Sequence, residues 1–191
     1  MDNLFELLEE QIKDIYSAEN QILKALPKMA KAANSLELKK AFETHRAETE
    51  QHVKRLTQIA EQLKIKPTGK KCKAMEGLVE EGKEVIEEEG EDSVIDAALI
   101  AAAQKVEHYE ISAYGSARAL AEKLGEEEVA DLLQETLDEE SATDEKLTQI
   151  CETIVASAPL REGEESEDES GSEEDSDEEG RPSPRGGREA R

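Results

Sequence analysis

Five acid and imidazole residues, Glu19, His45, His52, Glu110 and Glu140, interrupt otherwise apolar helical patterns in this 191-residue chain, and Glu48, Glu107 and Asp144 flank them as further candidates. On one stretch the inward positions read Leu8, Ile12, Ile15, then Glu19, then Ile22 and Leu26. The next reads Leu38, Phe42, His45, Thr49, His52, Leu56, Ile59 and Leu63, with Glu48 adjacent. A third reads Leu99, Ala103, Val106, Glu110, Ala113 and Ala117, with Glu107 a close neighbour. The fourth reads Val129, Leu133, Thr136, Glu140, Thr143 and Leu147, with Asp144 beside it. Each stretch breaks its stripe near its middle. Carboxylates left alone in an apolar core are strongly unfavourable, and a cation among them removes the penalty. Carboxylates from two helices, with carboxylate and imidazole from two others, are how di-iron and di-manganese bundles hold their ions.

The elements must bring these residues to one height. Apolar spacings of three, four and seven predict helix A over about Asn3 to Ala33, bent or loosened at Pro27. Asn34-Ser35 breaks it, and Ser35 caps helix B, which Lys66-Pro67-Thr68-Gly69 ends. A short helix spans roughly Ala74 to Glu88. Gly90 stops it, Asp92 or Ser93 caps helix C to about Leu124, Gly125 breaks the chain, and helix D covers Glu126 to Ala156. Glu110 and Glu140 each lie fifteen residues from Gly125. Glu19 falls level with about Glu50, so His45 and His52 stand within roughly one to two turns of it.

Two tight helical hairpins joined by a connection of nearly thirty residues give the ferritin-like topology rather than a simple up-down bundle. The fold class is therefore all-α: a four-helix bundle over residues 1–158 with a short fifth helix in the crossover. Residues 159–191 form a separate acidic, Ser/Gly-rich tail with a basic end, expected to be disordered for want of apolar residues. Within it, Ser166, Ser170, Ser172 and Ser176 sit among acids, and an Arg-Gly-Gly string hints only weakly at nucleic acid.

Composition supports these readings. Aromatics make up 3% and charged residues 38%, and the net charge is −24. The segment 161–191 holds 13 acids and 5 arginines, a net of −8, which leaves −16 on the rest. Such a surface repels nucleic acid and anionic lipid and attracts cations. The longest apolar run, Ala97 to Ala103, is too short to span a membrane. The acidic amphipathic start is unlike a signal peptide, so a cytoplasmic location is expected. Cys72 and Cys151 are isolated thiols, Cys151 facing the core side of its helix. Tyr16, Tyr109 and Tyr114 read as packing residues with one wet end, and His108 as a surface or inter-helix contact.

Several uncommon strings recur in order: Lys13 to Glu19 (KDIYSAE), Ala25 to Lys31 (ALPKMAK), Lys71 to Gly77 (KCKAMEG), Ala102 to Glu110 (AAQKVEHYE) and Thr136 to Glu140 (TLDEE). Over residues 4 to 156 the chain resembles the YciE/YciF family of bacterial stress-associated proteins. The resemblance implies a ferritin-like, dimer-forming helical bundle linked to stress. The wider ferritin and rubrerythrin group carries one Glu on each of helices A and C and a Glu-x-x-His on each of B and D. Carried over, Glu19 and Glu110 match the single positions. Helix B offers His45-x-x-Glu48 and Thr49-x-x-His52, with Thr49 where the motif has Glu. Helix D has Glu140 followed by Asp144 instead of His. The function expected is a homodimer with a di-metal site of iron or manganese, handling iron or peroxide. The alternative is a metal-free interaction protein whose buried charges fix helix register.

Overall fold

The computed structural model describes residues 1–161, and the tail from residue 162 on, with its serines and Arg-Gly-Gly, lies outside them. Five helices follow in order: α1 (Leu4–Ala32), α2 (Leu36–Leu63), α3 (Lys73–Glu87), α4 (Asp92–Leu124) and α5 (Glu127–Val155). No strand occurs among the described residues. The helix pairs α1–α2 and α4–α5 form antiparallel hairpins. Helices α1 and α4, and α2 and α5, pack across the bundle, while α3 lies against α1 and α4.

The helix ends follow local chemistry. Asn3 caps α1 by accepting from the Glu6 amide, and Ser35 caps α2 by accepting from the Leu38 amide. Each satisfies an amide that has no partner within its helix. Cys72 caps α3 in the same way, its thiol accepting from the Met75 amide. Helix α4 differs from expectation: neither Asp92 nor Ser93 caps it. Glu91 holds that position with no side-chain bond, and Asp92 opens the first turn, where its charge complements the helix dipole. Gly125, at φ 76°, ends α4 in the left-handed region, its amide reaching the Ala121 and Glu122 carbonyls. Helix α1 continues through Pro27, which sits on its exposed side.

The turn between α1 and α2 is held from outside the hairpin. Asp96 of α4, buried at 2% exposure, accepts from the Asn34 amide at 2.8 Å and the Ser35 amide at 2.7 Å. The crossover is tied to α1 as well, since the Cys72 amide donates to Ser17 Oγ at 2.9 Å and Gln21 donates to the Cys72 carbonyl.

Apolar packing forms two clusters. One gathers Leu8, Ile12, Ile15, Leu56, Ile59 and Leu133; the other gathers Ile22, Leu26, Phe42, Leu99, Leu147 and Ile150. Between them, on all four long helices, lies a band of buried polar residues: Glu19, His45, Thr49, His52, Glu107, Glu110, Thr136 and Glu140. The two halves of the core supply the hydrophobic stabilisation that keeps this band buried.

Candidate metal centre

The band resolves into two sets of ligand atoms. Glu19, His52 and Glu140 form one, and His45, Glu107, Glu110 and Glu140 the other, each set offering atoms within 4.8 Å of one another. Glu140 belongs to both. Its Oε1 lies 3.0 Å from His52 Nδ1, and its Oε2 lies 3.8 Å from His45 Nε2. One carboxylate thus turns an oxygen to each set. The remaining close pairs are His52 Nδ1 to Glu19 Oε1 at 3.4 Å and His45 Nε2 to Glu107 Oε1 at 3.5 Å. Ligands about 2.1 Å from a common ion stand roughly 3.0 to 4.2 Å apart, so these spacings fit shared cations.

The hydrogen-bond inventory fits the same reading. Among the described residues nine buried side-chain N and O atoms lack a hydrogen-bond partner, and all but Arg118 Nε belong to these six residues. They are Glu19 Oε2, His45 Nε2, His52 Nδ1, Glu107 Oε2 and both oxygens of Glu110 and Glu140. Buried polar atoms are almost always paired. Eight such atoms gather in the two ligand sets, whose four carboxylates would balance two divalent ions.

Each imidazole is oriented from behind. His52 Nε2 meets Glu139 Oε2 at 2.9 Å, and the Arg55 guanidinium grips that carboxylate at 2.8 and 3.2 Å. Arg55 also donates to Thr136 Oγ1 and Glu135. With Nε2–H donating to Glu139, the Nδ1 lone pair of His52 is free to face Glu19 and Glu140, as in carboxylate–histidine–metal arrangements. His45 directs Nε2 inward, while its Nδ1 faces Thr143 Oγ1 at 3.4 Å and Glu48 at 3.6 Å. Tyr114, fully buried, donates its hydroxyl to Glu19 Oε1. The expectation of one wet end fails for Tyr114: its polar end is inside the bundle.

Without an ion, protons and opposed charges share the space. Burial pulls both imidazoles down, but the carboxylates outweigh it. Glu107, Glu48 and Glu140 hold His45 up at about 9, and Glu140 with Glu19 holds His52 up at about 10. Burial pushes Glu107 and Glu110 well above the carboxylate range, and raises Glu19 too. Glu140 goes the other way: burial opposes its charge, yet both histidines hold it down. Of the four carboxylates in the band, the shared one alone is shifted towards its ionised form.

Six of the eight sequence candidates converge. Glu48 instead stands on the outer side of His45, half exposed. Asp144, one turn after Glu140 on α5, instead meets α4, 3.3 Å from His108 and within reach of Gln104. Positions 107 and 110 share a helix face, and it is Glu107 rather than Val106 that is buried. The departures from the Glu-x-x-His motif compensate one another. Thr49 bonds back to the His45 carbonyl at 2.8 Å, and a fourth carboxylate comes from Glu107 on α4. Thr143 stands three residues after Glu140, and the second imidazole comes from His45 on α2. The inventory remains four carboxylates and two imidazoles. Sequence reasoning missed Glu139, Arg55 and Asp96 and read Tyr114 as a packing residue, although Glu135 and Glu139 at i,i+4 mark one face of α5 for a cation. Cys151 is only partly buried.

Two cavities reach His45 and Glu107 from opposite sides. One, of about 220 Å³, lies between α2, α4 and α5 with Glu48, Glu139 and Lys146 on its lining. The other, of about 240 Å³, lies between α1, α3 and α4 and is lined mainly by apolar side chains.

Comparison with known proteins agrees with this architecture. Residues 3–159 match the family described as a domain of unknown function, DUF892. The protein YciF of Escherichia coli K12 is 52% identical over 143 residues, 73% of this chain and 85% of that one. The crystal structure of the E. coli stress protein YciF superposes with a TM-score of 0.79 at 47% identity, covering 81% of this chain and 98% of that one. A Bacillus anthracis structure described as ferritin-like, diiron-carboxylate proteins superposes at 0.62 with 18% identity, covering 79% and 99%, a likeness of fold. No helix among the described residues is long and apolar enough to cross a membrane. With a family match over residues 3–159 and a relative more than half identical, this ferritin-like chain belongs to the DUF892 family.

Proposed function

We propose that the buried band is a di-metal centre for iron or manganese, and that the protein handles iron or peroxide in a stress response. The observation that carries the reading is Glu140, whose two oxygens face two separate ligand sets lined by orphaned donors. Glu19, His52 and Glu140 would hold one ion, and His45, Glu107, Glu110 and Glu140 the other. Two ions held by these residues would supply two-electron or oxygen chemistry. The chain's own part is to orient the imidazoles through Glu139, Arg55, Thr143 and Glu48, to hold Glu19 through Tyr114, and to exclude bulk water between two apolar clusters. The E. coli relative described as a stress protein supports the setting, and the diiron-carboxylate neighbour supports the class of centre. The cytoplasmic location and the homodimer belong to the same proposal. Sedimentation of the full chain at micromolar concentration should give twice the monomer mass.

Melting tests the metal reading against a metal-free charged layer. A ligand that binds only the native state raises its stability. Added Fe(II) under anaerobic conditions, or Mn(II), should raise the melting temperature, and chelator should reverse it. Indifference to both would favour the metal-free reading.

A further inference from the structure

The cavity between α1, α3 and α4 has features that the metal reading does not use. Its wall is apolar, built from Ile22, Ala25, Leu26, Leu78, Val79 and Ile86, and its lining includes His45 and Glu107, nine-tenths or more buried. Through these two residues the wall of the cavity adjoins the buried band. The exposed charged residues on the lining are Lys24, Lys28 and Lys83, with no exposed acid. That mouth is cationic on a chain with 48 acids and 24 bases. Lys83 pairs with Glu80 and Glu87 on its own helix, whereas Lys24 and Lys28, one turn apart on α1, have no carboxylate in ion-pair reach among the described residues.

Gly82 adds an independent observation. It is buried in the middle of α3, where glycine weakens a helix relative to alanine. Its backbone is not left-handed, and a Cβ built there meets nothing within 4 Å. Neither conformation nor close packing requires glycine. The space in front of it is the cavity, which any larger side chain would fill.

We propose that this cavity binds an unbranched aliphatic carboxylate, its head on Lys24 and Lys28 at the mouth and its chain running past Gly82 towards His45 and Glu107. A dry cavity of about 150 Å³ takes benzene. By that scale 240 Å³ suits a chain of about eight carbons. The orientation follows from charge: the carboxylate meets lysines outside, and the apolar end meets the apolar wall. The proposal deepens the metal reading, because it names what the centre would face, but the binding itself is measured separately from it.

The experiment titrates the full-length protein calorimetrically with octanoate, octan-1-ol and hexadecanoate, once metal-free and once loaded with Mn(II). Octanoate should bind one per chain in both states, at least tenfold tighter than octan-1-ol and than hexadecanoate, which is too long for the cavity. Gly82→Leu should melt at or above the wild-type temperature and lose octanoate binding. Joint replacement of Lys24 and Lys28 by Glu should reduce octanoate affinity at least tenfold and leave octan-1-ol unchanged. No saturable octanoate binding, or equal binding by Gly82→Leu, would overturn the proposal. So would a wild-type dimer that Gly82→Leu converts to monomer, since a second copy would then cover the cavity. Metal retained without octanoate binding defeats this proposal alone, and octanoate bound without metal retention defeats the metal reading alone.

Discussion

At the residue scale the arrangement turns on Glu140. It is the one side chain common to both ligand sets, and both histidines hold it ionised. Glu140→Gln keeps the volume and removes the charge. It should reduce the metal held by reconstituted protein from two equivalents per chain to one or none, read by elemental analysis after desalting. Asp144→Asn should retain two, because Asp144 contacts His108 rather than either ligand set. The support behind His52 gives a graded effect. Arg55→Gln loosens Glu139, whose carboxylate is otherwise held low by Arg55 and His52 against burial. Loss of such a partner typically costs about 10–100-fold in metal affinity, measurable by competition with a chelator of known affinity. Unchanged affinity would mean that Glu139 does not orient the ring.

At the element scale, much of the fold was legible because the stripes are long and regular. Leu8, Ile12 and Ile15, or Val129 and Leu133, recur at helical spacing, and Gly125 occupies a left-handed position that few other residues tolerate. The interruptions were legible for the same reason, since Glu19, His52 and Glu140 fall on stripes otherwise apolar. What could not be read was rotation within a helix. Val106 and Glu107 differ by one position, and the packing of α4 between α1, α3 and α5 decides which is buried. Contacts between elements distant in sequence were equally hidden. Arg55 meets Glu139 across 84 residues, and Asp96 meets the α1–α2 turn across more than sixty. A one-residue shift also explains the cap of α4, where Glu91 precedes the helix and no side chain closes it. The hidden contact at Asp96 has a measurable weight. Asp96→Ala leaves the Asn34 and Ser35 amides without their carboxylate and should cost about 3 kcal/mol in chemical denaturation. A loss below about 1 kcal/mol would mean that water replaces it.

At the scale of the whole molecule, two apolar clusters enclose a charged band, and its charge must be balanced by protons or by cations. In the metal-free protein His45 and His52 titrate near 9 and 10, against about 6.5 in an unfolded chain. A folded value above the unfolded one contributes stability below the unfolded pKa, and that contribution is lost as pH rises through the folded pKa. Glu107 and Glu110 shift in the same sense. The melting temperature of chelated protein should therefore fall between about pH 6.5 and 10. Metal must displace these protons, so its affinity should rise with pH, and the gap in melting temperature between loaded and chelated protein should widen across that window. A gap that narrows would contradict the exchange of protons for cations.

Direct counting of metal tests the central claim most plainly. Purified full-length protein, stripped with chelator, reconstituted with Fe(II) anaerobically or with Mn(II) at neutral pH and desalted, is analysed for metal per chain beside Glu140→Gln. The account predicts two equivalents in the wild type and no more than one in the variant. A wild type that retains no metal, or a variant that retains as much as the wild type, would contradict it.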